Sequence, residues 1–128
     1  MGEQGASDRN RAAYVARINR VIDHVENHLA EPLALEELAR VAAFSPFHFH
    51  RLFTAVTGET LYQFVLRLRL ERAASQLSQQ PEKSVTAVAL DCGFGGSAAF
   101  ARAFKAAYGM SASDWRAGGS KNCKPIRK

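Results

Sequence analysis

The 128-residue sequence predicts an all-α fold, about seven helices forming two helix-turn-helix subdomains joined by a long linker helix. Three observations carry that expectation. Apolar residues recur at helical spacing, no segment alternates with the two-residue period of a strand, and one residue pattern returns about fifty positions after it first appears.

The first helix comes from YVARINRVIDHVENHL, where Tyr14, Ile18, Val21, Ile22, Val25 and Leu29 share one face and Pro32 lies beyond the end. Residues 1–13 precede the pattern and are assigned to a flexible tail. A short helix follows in LALEELARVAAF: Leu35, Leu38, Ala39 and Ala42 form its stripe, Glu36 and Glu37 suit the positive end of its dipole, and it ends near Ala43. Ser45 then Pro46 is an N-cap with a first-turn proline, and Gly58 is a stop, so a third helix runs roughly from Pro46 to Thr57. Thr60 caps a longer helix carrying Leu61, Phe64, Val65, Leu68, Ala73, Ala74 and Leu77. It ends before Pro81, about 25 Å from its start at 1.5 Å per residue. Ser84 opens and Gly93 closes a fifth helix, Ser97 opens and Gly109 closes a sixth, and Ser113 with Asp114 starts a last turn through Trp115. The organisation is a tail over 1–13, a first subdomain over 14–59, a linker helix over 60–80, a second subdomain over 81–118 and a basic tail over 119–128.

A hydrophobic content of 47% suffices for a continuous core. No stretch approaches the roughly 18 apolar residues of a membrane span, and MGEQGASDRN lacks the apolar centre of a signal peptide, so the expectation is a soluble cytoplasmic protein without a membrane partner. The two cysteines, Cys92 and Cys123, provide neither a disulfide framework nor a four-thiolate zinc site, and Cys92 reads as a small core residue. The net charge of +5 is unevenly divided: 5 basic and 7 acidic groups in residues 1–44 give −2, whereas 12 basic and 5 acidic in residues 45–128 give +7. A basic excess gathered on one part of the chain suits a polyanion.

Shifted by 50 residues, Leu35, Leu38, Ala39, Ala43 and Phe44 fall on Val85, Val88, Ala89, Gly93 and Phe94. Shifted by 51, Phe49, Arg51, Phe53 and Gly58 fall on Phe100, Arg102, Phe104 and Gly109, so the two turns differ by one residue. A small residue where two helices approach (Ala39, Ala89) and another four further on at the turn (Ala43, Gly93) is the sequence form of a duplicated helix-turn-helix. The long helix between the copies can hold them for successive major grooves, about 34 Å apart.

From about Ile18 to Arg116 the chain resembles the DNA-binding domain of AraC/XylS-type transcription regulators. SPFHFHRLFTAVTGETLYQFVLRLRLERA matches the first unit's Ser-Pro, His, Arg, Phe and Gly followed by an arginine-bearing linker helix, and GFGGSAAFARAFKAAYGMSASDWR resembles the second unit's more specific signature. Ala43 replaces the commoner turn glycine, Leu66 stands where a basic residue is frequent, and Ala112 where proline usually follows serine. The resemblance implies a monomeric domain that binds double-stranded DNA and meets RNA polymerase, either standing alone or belonging to a longer regulator with an effector domain.

On the third helix Phe49, Leu52 and Phe53 form the buried stripe, which turns Phe47, His50, Arg51 and Thr54 outward as candidates for base contacts. Arg51 can bond guanine O6 and N7 bidentately or, alternatively, pair with an acid such as Glu71, and Phe47 offers apolar contact to a thymine methyl. The sixth helix offers Ser97, Ala98, Ala101 and Arg102. Ser45, Arg67, Arg69, Arg72, Lys105 and Arg116 are candidates for phosphate contacts. No cofactor is expected. His48 and His50, two apart on a helix, point to different sides and make no metal site. An enzyme is not expected either, because the chain offers no nucleophile with a base, no paired acids on one face and no glycine-rich phosphate loop.

Overall fold

The computed structural model describes the backbone of residues 2–118 and the side chains from residue 11 onward; the basic tail and Cys123 lie outside the described residues. Seven helices and no strand occur among the described residues: α1 (Gly2–Asn27), α2 (Leu35–Ala42), α3 (Pro46–Thr57), α4 (Leu61–Gln79), α5 (Val85–Asp91), α6 (Ser97–Tyr108) and α7 (Ala112–Arg116). None of these helices is long and apolar enough to cross a membrane.

The helix ends follow local chemistry. Ser45 Oγ accepts from His48 N at 3.3 Å with Pro46 behind it, Ser84 Oγ accepts from Ala87 N at 3.0 Å, and Ser111 Oγ accepts from Asp114 N at 3.1 Å. At α4 the cap is reciprocal: Thr60 Oγ1 accepts from Gln63 N at 3.1 Å while Gln63 Oε1 accepts from Thr60 N at 3.0 Å, satisfying two amides that the helix cannot. Gly58 and Gly109 close α3 and α6 in the left-handed conformation, φ 80° and 77°.

Three boundaries differ from the sequence reading. α1 begins at Gly2 rather than near Tyr14, so its backbone is helical through most of the segment assigned to a tail. Apolar periodicity marks where a helix packs, whereas residues of high helix propensity, such as the exposed Arg11, Ala12 and Ala13, extend one without a buried stripe. Ser97 is the first residue of α6 rather than its cap; Gly96 precedes it in extended conformation. The last helix is capped by Ser111 rather than opened by Ser113 and Asp114.

The chain divides into two compact units, one holding residues up to 28 with 32–65, the other 29–31 with 66 onward. In the first, α1, α2 and α3 pack on one another, burying Ile18, Val21, Val25, Leu38, Ala39, Phe49 and Phe53, and the first turn of α4 adds Leu61, Phe64 and Val65. In the second, Leu70, Ala73, Ala74 and Leu77 of α4 pack with Val88, Ala89, Cys92, Phe100, Phe104, Tyr108 and Trp115, and Leu66 lies against the same core. Trp115 donates its indole N–H to Ala74 O at 3.0 Å, which satisfies its one polar atom inside the core.

Candidate nucleic-acid interface

Each unit presents its second short helix through a tight turn of the same construction. After α2, Ala43 N donates to Arg40 O at 3.0 Å and Phe44 N to Ala39 O at 2.9 Å; after α5, Gly93 N donates to Leu90 O at 3.1 Å and Phe94 N to Ala89 O at 3.0 Å. Both pivots are left-handed, Ala43 at φ 61° and Gly93 at φ 94°, and Ala43 is the only non-glycine with positive φ among the described residues. A β-carbon at Gly93 would collide with Leu29 O and lie 2.5 Å from Arg69 Nε, so the second turn needs glycine for space as well as conformation.

An arginine from the long helix stands against each pivot. Arg17 of α1 donates Nε to Ala42 O at 2.8 Å and a terminal nitrogen to Ala43 O, with Cζ 3.8 Å from the centroid of the Phe44 ring. Arg69 of α4 donates Nε to Leu29 O at 3.1 Å and NH2 to Glu31 O at 3.0 Å, and its burial pulls the guanidinium pKa below the ordinary arginine value. The sequence reading missed Arg17. A shift of 52 residues would have found it, because Arg17, Ile18, Val21 and Val25 then fall on Arg69, Leu70, Ala73 and Leu77. The repeat therefore includes a third helix per unit, and the linker helix is also the first helix of the second copy.

On α3 Phe49 and Phe53 are buried and their rings lie 5.7 Å apart, whereas Leu52 is only half-buried. Phe47 is 72% exposed on the outward side of α3. Arg51, one turn on, places Cζ 5.6 Å from the Phe47 ring centroid, is exposed, and forms no ion pair with any described residue. Glu71 pairs with Arg67 at 3.2 Å. His50 is exposed, while Thr54 is half-buried and donates its hydroxyl to His50 O at 3.1 Å, leaving it only acceptor capacity toward a ligand.

On α6, Phe100 and Phe104 take the places of Phe49 and Phe53 in the core. Ser97, Ala98, Ala101, Arg102 and Lys105 are all exposed, and neither cation forms an ion pair with a described residue. Of the phosphate candidates, Lys105 is exposed, Arg72 is half-buried, and Ser45, though its Oγ accepts the cap bond, keeps its own O–H to donate. Arg69 and Arg116 are placed differently from a phosphate clamp. Arg69 serves the carbonyls of Leu29 and Glu31, and Arg116 donates Nε to Leu77 O at 3.1 Å and NH2 to Gln80 O at 3.2 Å, closing the C-terminal end of α4.

The model of a family described as a helix-turn-helix domain matches residues 38–118. A probable transcriptional regulator, LumQ of Photobacterium leiognathi, is 38% identical over 99 residues, which are 76% of this chain and 40% of that protein. Among solved structures, an AraC-type DNA-binding domain protein of Chromobacterium violaceum has a TM-score of 0.76 at 26% identity over 87% of this chain and 98% of its own. The DNA-binding domain of AdpA, solved in complex with a target DNA, has a TM-score of 0.76 at 30% identity over 81% of this chain and 93% of its own. The duplicated turn, the two exposed second helices and these matches agree: the chain belongs to the AraC-type helix-turn-helix family.

Proposed function

We propose that this chain binds duplex DNA sequence-specifically and regulates transcription, with α3 and α6 entering successive major grooves. The observation that carries the reading is the pair Arg51 and Arg102, which occupy the same place on the outward face of two duplicated helices, exposed and without acidic partners among the described residues. An arginine fork held off carboxylates is ready for guanine O6 and N7, a contact worth about 1–3 kcal/mol of discrimination. Phe47 adds apolar contact and His50 a donor or acceptor, with Thr54 accepting; Ser97, Ala98 and Ala101 line the second groove. Lys105, Arg72, Arg67 and the Ser45 hydroxyl contact phosphates, whereas Arg69 and Arg116 act through the fold. Contact with RNA polymerase and a cytoplasmic setting complete the reading, and proteins of this family are regulators rather than enzymes.

Selection of bound sites from a random duplex pool tests this. The expected result is a bipartite consensus whose two halves lie about one helical turn apart. Binding indifferent to sequence would overturn it and favour a module whose basic surface meets an acidic protein.

A further inference from the structure

We propose that Arg17 is a positioning residue for α3: it clamps the turn that aims the helix and so sets the sequence discrimination of the first unit without touching DNA, an inference that rests on the function proposed above. Arg17 meets three consecutive residues of that turn. Its Nε donates to Ala42 O at 2.8 Å, a terminal nitrogen donates to Ala43 O, and Cζ lies 3.8 Å from the centroid of the Phe44 ring. The two carbonyls belong to the C-terminal end of α2, where a helix leaves its acceptors without internal partners and its dipole favours a cation. The Tyr14 ring meets Phe44 edge-on at 5.5 Å, and Phe44 lies 6.1 Å from the ring of His48 in the first turn of α3. Contact therefore runs from α1 through the turn into the helix that carries Arg51.

The first turn needs a clamp that the second does not. Its pivot, Ala43, is an L residue at φ 61°, a conformation that persists only where the surroundings hold it. The second pivot is glycine and free of that strain, and Arg69, at the place of Arg17 in the repeat, bonds Leu29 O and Glu31 O instead of its turn. Phe49 and Phe53 are buried on one face of α3 and fix its depth, which leaves tilt about that stripe to the turn. Arg51 lies about 7.5 Å along the axis from Pro46 at 1.5 Å per residue, so a tilt of about 10° displaces it by about 1.3 Å. Productive contact geometry tolerates only about 0.5 Å.

The test is competition binding on a duplex selected from the random pool, the same duplex with the half facing α3 scrambled, and the same duplex with the half facing α6 scrambled. Arg17→Met keeps the apolar stem and removes every donor. It should lower the preference over the α3-scrambled duplex about tenfold, a bidentate base contact being worth roughly 5- to 150-fold. The preference over the α6-scrambled duplex should stay within about twofold, as for independent sites. Arg17→Lys, which keeps the charge, should recover part of the loss. Lost stability alone lowers the folded fraction and weakens binding to every duplex by one factor, so unchanged preferences overturn the inference. A uniform loss with a shallower salt slope, the mark of a phosphate contact, overturns it too. In the unsubstituted chain, the Arg17 Nε proton followed by NMR should stay protected from exchange when the selected duplex is added, a reading independent of whether the variants fold; its release from the turn would overturn the assignment. A parent chain with equal affinity for every duplex overturns the proposed function and this inference together, whereas a discriminating parent whose preferences survive Arg17→Met overturns this inference alone.

Discussion

Exchanging the two pivot residues should move stability in opposite directions, because the turns share a conformation but not a neighbourhood. Gly93→Ala puts an L side chain at φ 94°, which costs about 1–2 kcal/mol in the left-handed region. The added β-carbon collides with Leu29 O and the Arg69 guanidinium, so Arg69 must give up at least one of its two carbonyl bonds, each worth about 1.5–3 kcal/mol for a charged donor. Reduced freedom of the unfolded chain returns only about 0.4–1 kcal/mol, leaving a net loss of about 2–4 kcal/mol. Ala43→Gly relieves the same left-handed strain, keeps the backbone acceptors of Arg17 in place, and gains about 0.5–1 kcal/mol once the looser unfolded chain is counted. Urea unfolding followed by fluorescence of Trp115, the only tryptophan and a member of the second unit's core, reports the first change; far-UV circular dichroism reports both. A Gly93→Ala chain within about 0.5 kcal/mol of the parent, inside the usual range of surface substitutions, would refute the steric argument. An Ala43→Gly chain less stable than the parent would refute the strain argument.

Arg51→Ala should cost about 1–3 kcal/mol on a selected site and relax preference at one or two base pairs; an equal loss on every sequence would make Arg51 a phosphate contact. Scrambling the half-site facing α3 should weaken binding of the unchanged protein more than scrambling the half facing α6, at about 1–3 kcal/mol per mismatched pair that is read. Arg116→Ala should lower stability by about 1–3 kcal/mol and leave the log–log salt slope of DNA binding unchanged, whereas Lys105→Ala should reduce that slope by about 0.9. Burial raises the Cys92 thiol pKa, so the unfolded chain ionises first as pH rises; its stability contribution is complete at neutral pH and lost on the alkaline side. The urea midpoint should accordingly fall less steeply above the ordinary thiol range in Cys92→Ala than in the parent.

The repeat was legible because its markers are residues with one physical job. Phe49, Phe53 and Gly58 and their counterparts Phe100, Phe104 and Gly109 recur since a core position needs volume and a left-handed stop needs glycine. The third helix of each repeat was hidden because its buried positions changed size, Val21 becoming Ala73 and Val25 becoming Leu77. The bonds of Arg69 and Arg116 to backbone carbonyls were not legible, since an arginine looks the same in sequence whether its fork meets a ligand or a carbonyl, and their acceptors, Leu29 and Leu77, lie 40 and 39 residues away. The start of α1 was missed for the opposite reason, as a helical run without an apolar stripe carries no period to detect.

The asymmetry between the units follows from which positions the scaffold constrains. Under the shift of 51, the inward residues Phe49 and Phe53 are kept as Phe100 and Phe104, while the outward set changes almost entirely: Phe47 becomes Ala98, His50 becomes Ala101 and Thr54 becomes Lys105. Packing fixes the first group to within a methylene, because cores are close-packed and penalise any change of volume. Phe47, His50, Ala98, Ala101 and Lys105 are exposed and Thr54 is half-buried with its hydroxyl bonded back to His50 O of its own helix, so packing constrains the second group far less. Arg51 and Arg102 are the exception, kept although exposed and unpaired among the described residues, where solvent alone would accept lysine, glutamine or alanine equally well. Retention at a position that packing leaves unconstrained is what the proposed DNA contact by a guanidinium fork in both copies would produce. Because the α6 face carries no hydrogen-bonding side chain besides Arg102, Ser97 and Lys105, the proposed function expects the finer discrimination from α3 and, from α6, one base contact with a backbone grip, which the half-site scrambling above checks.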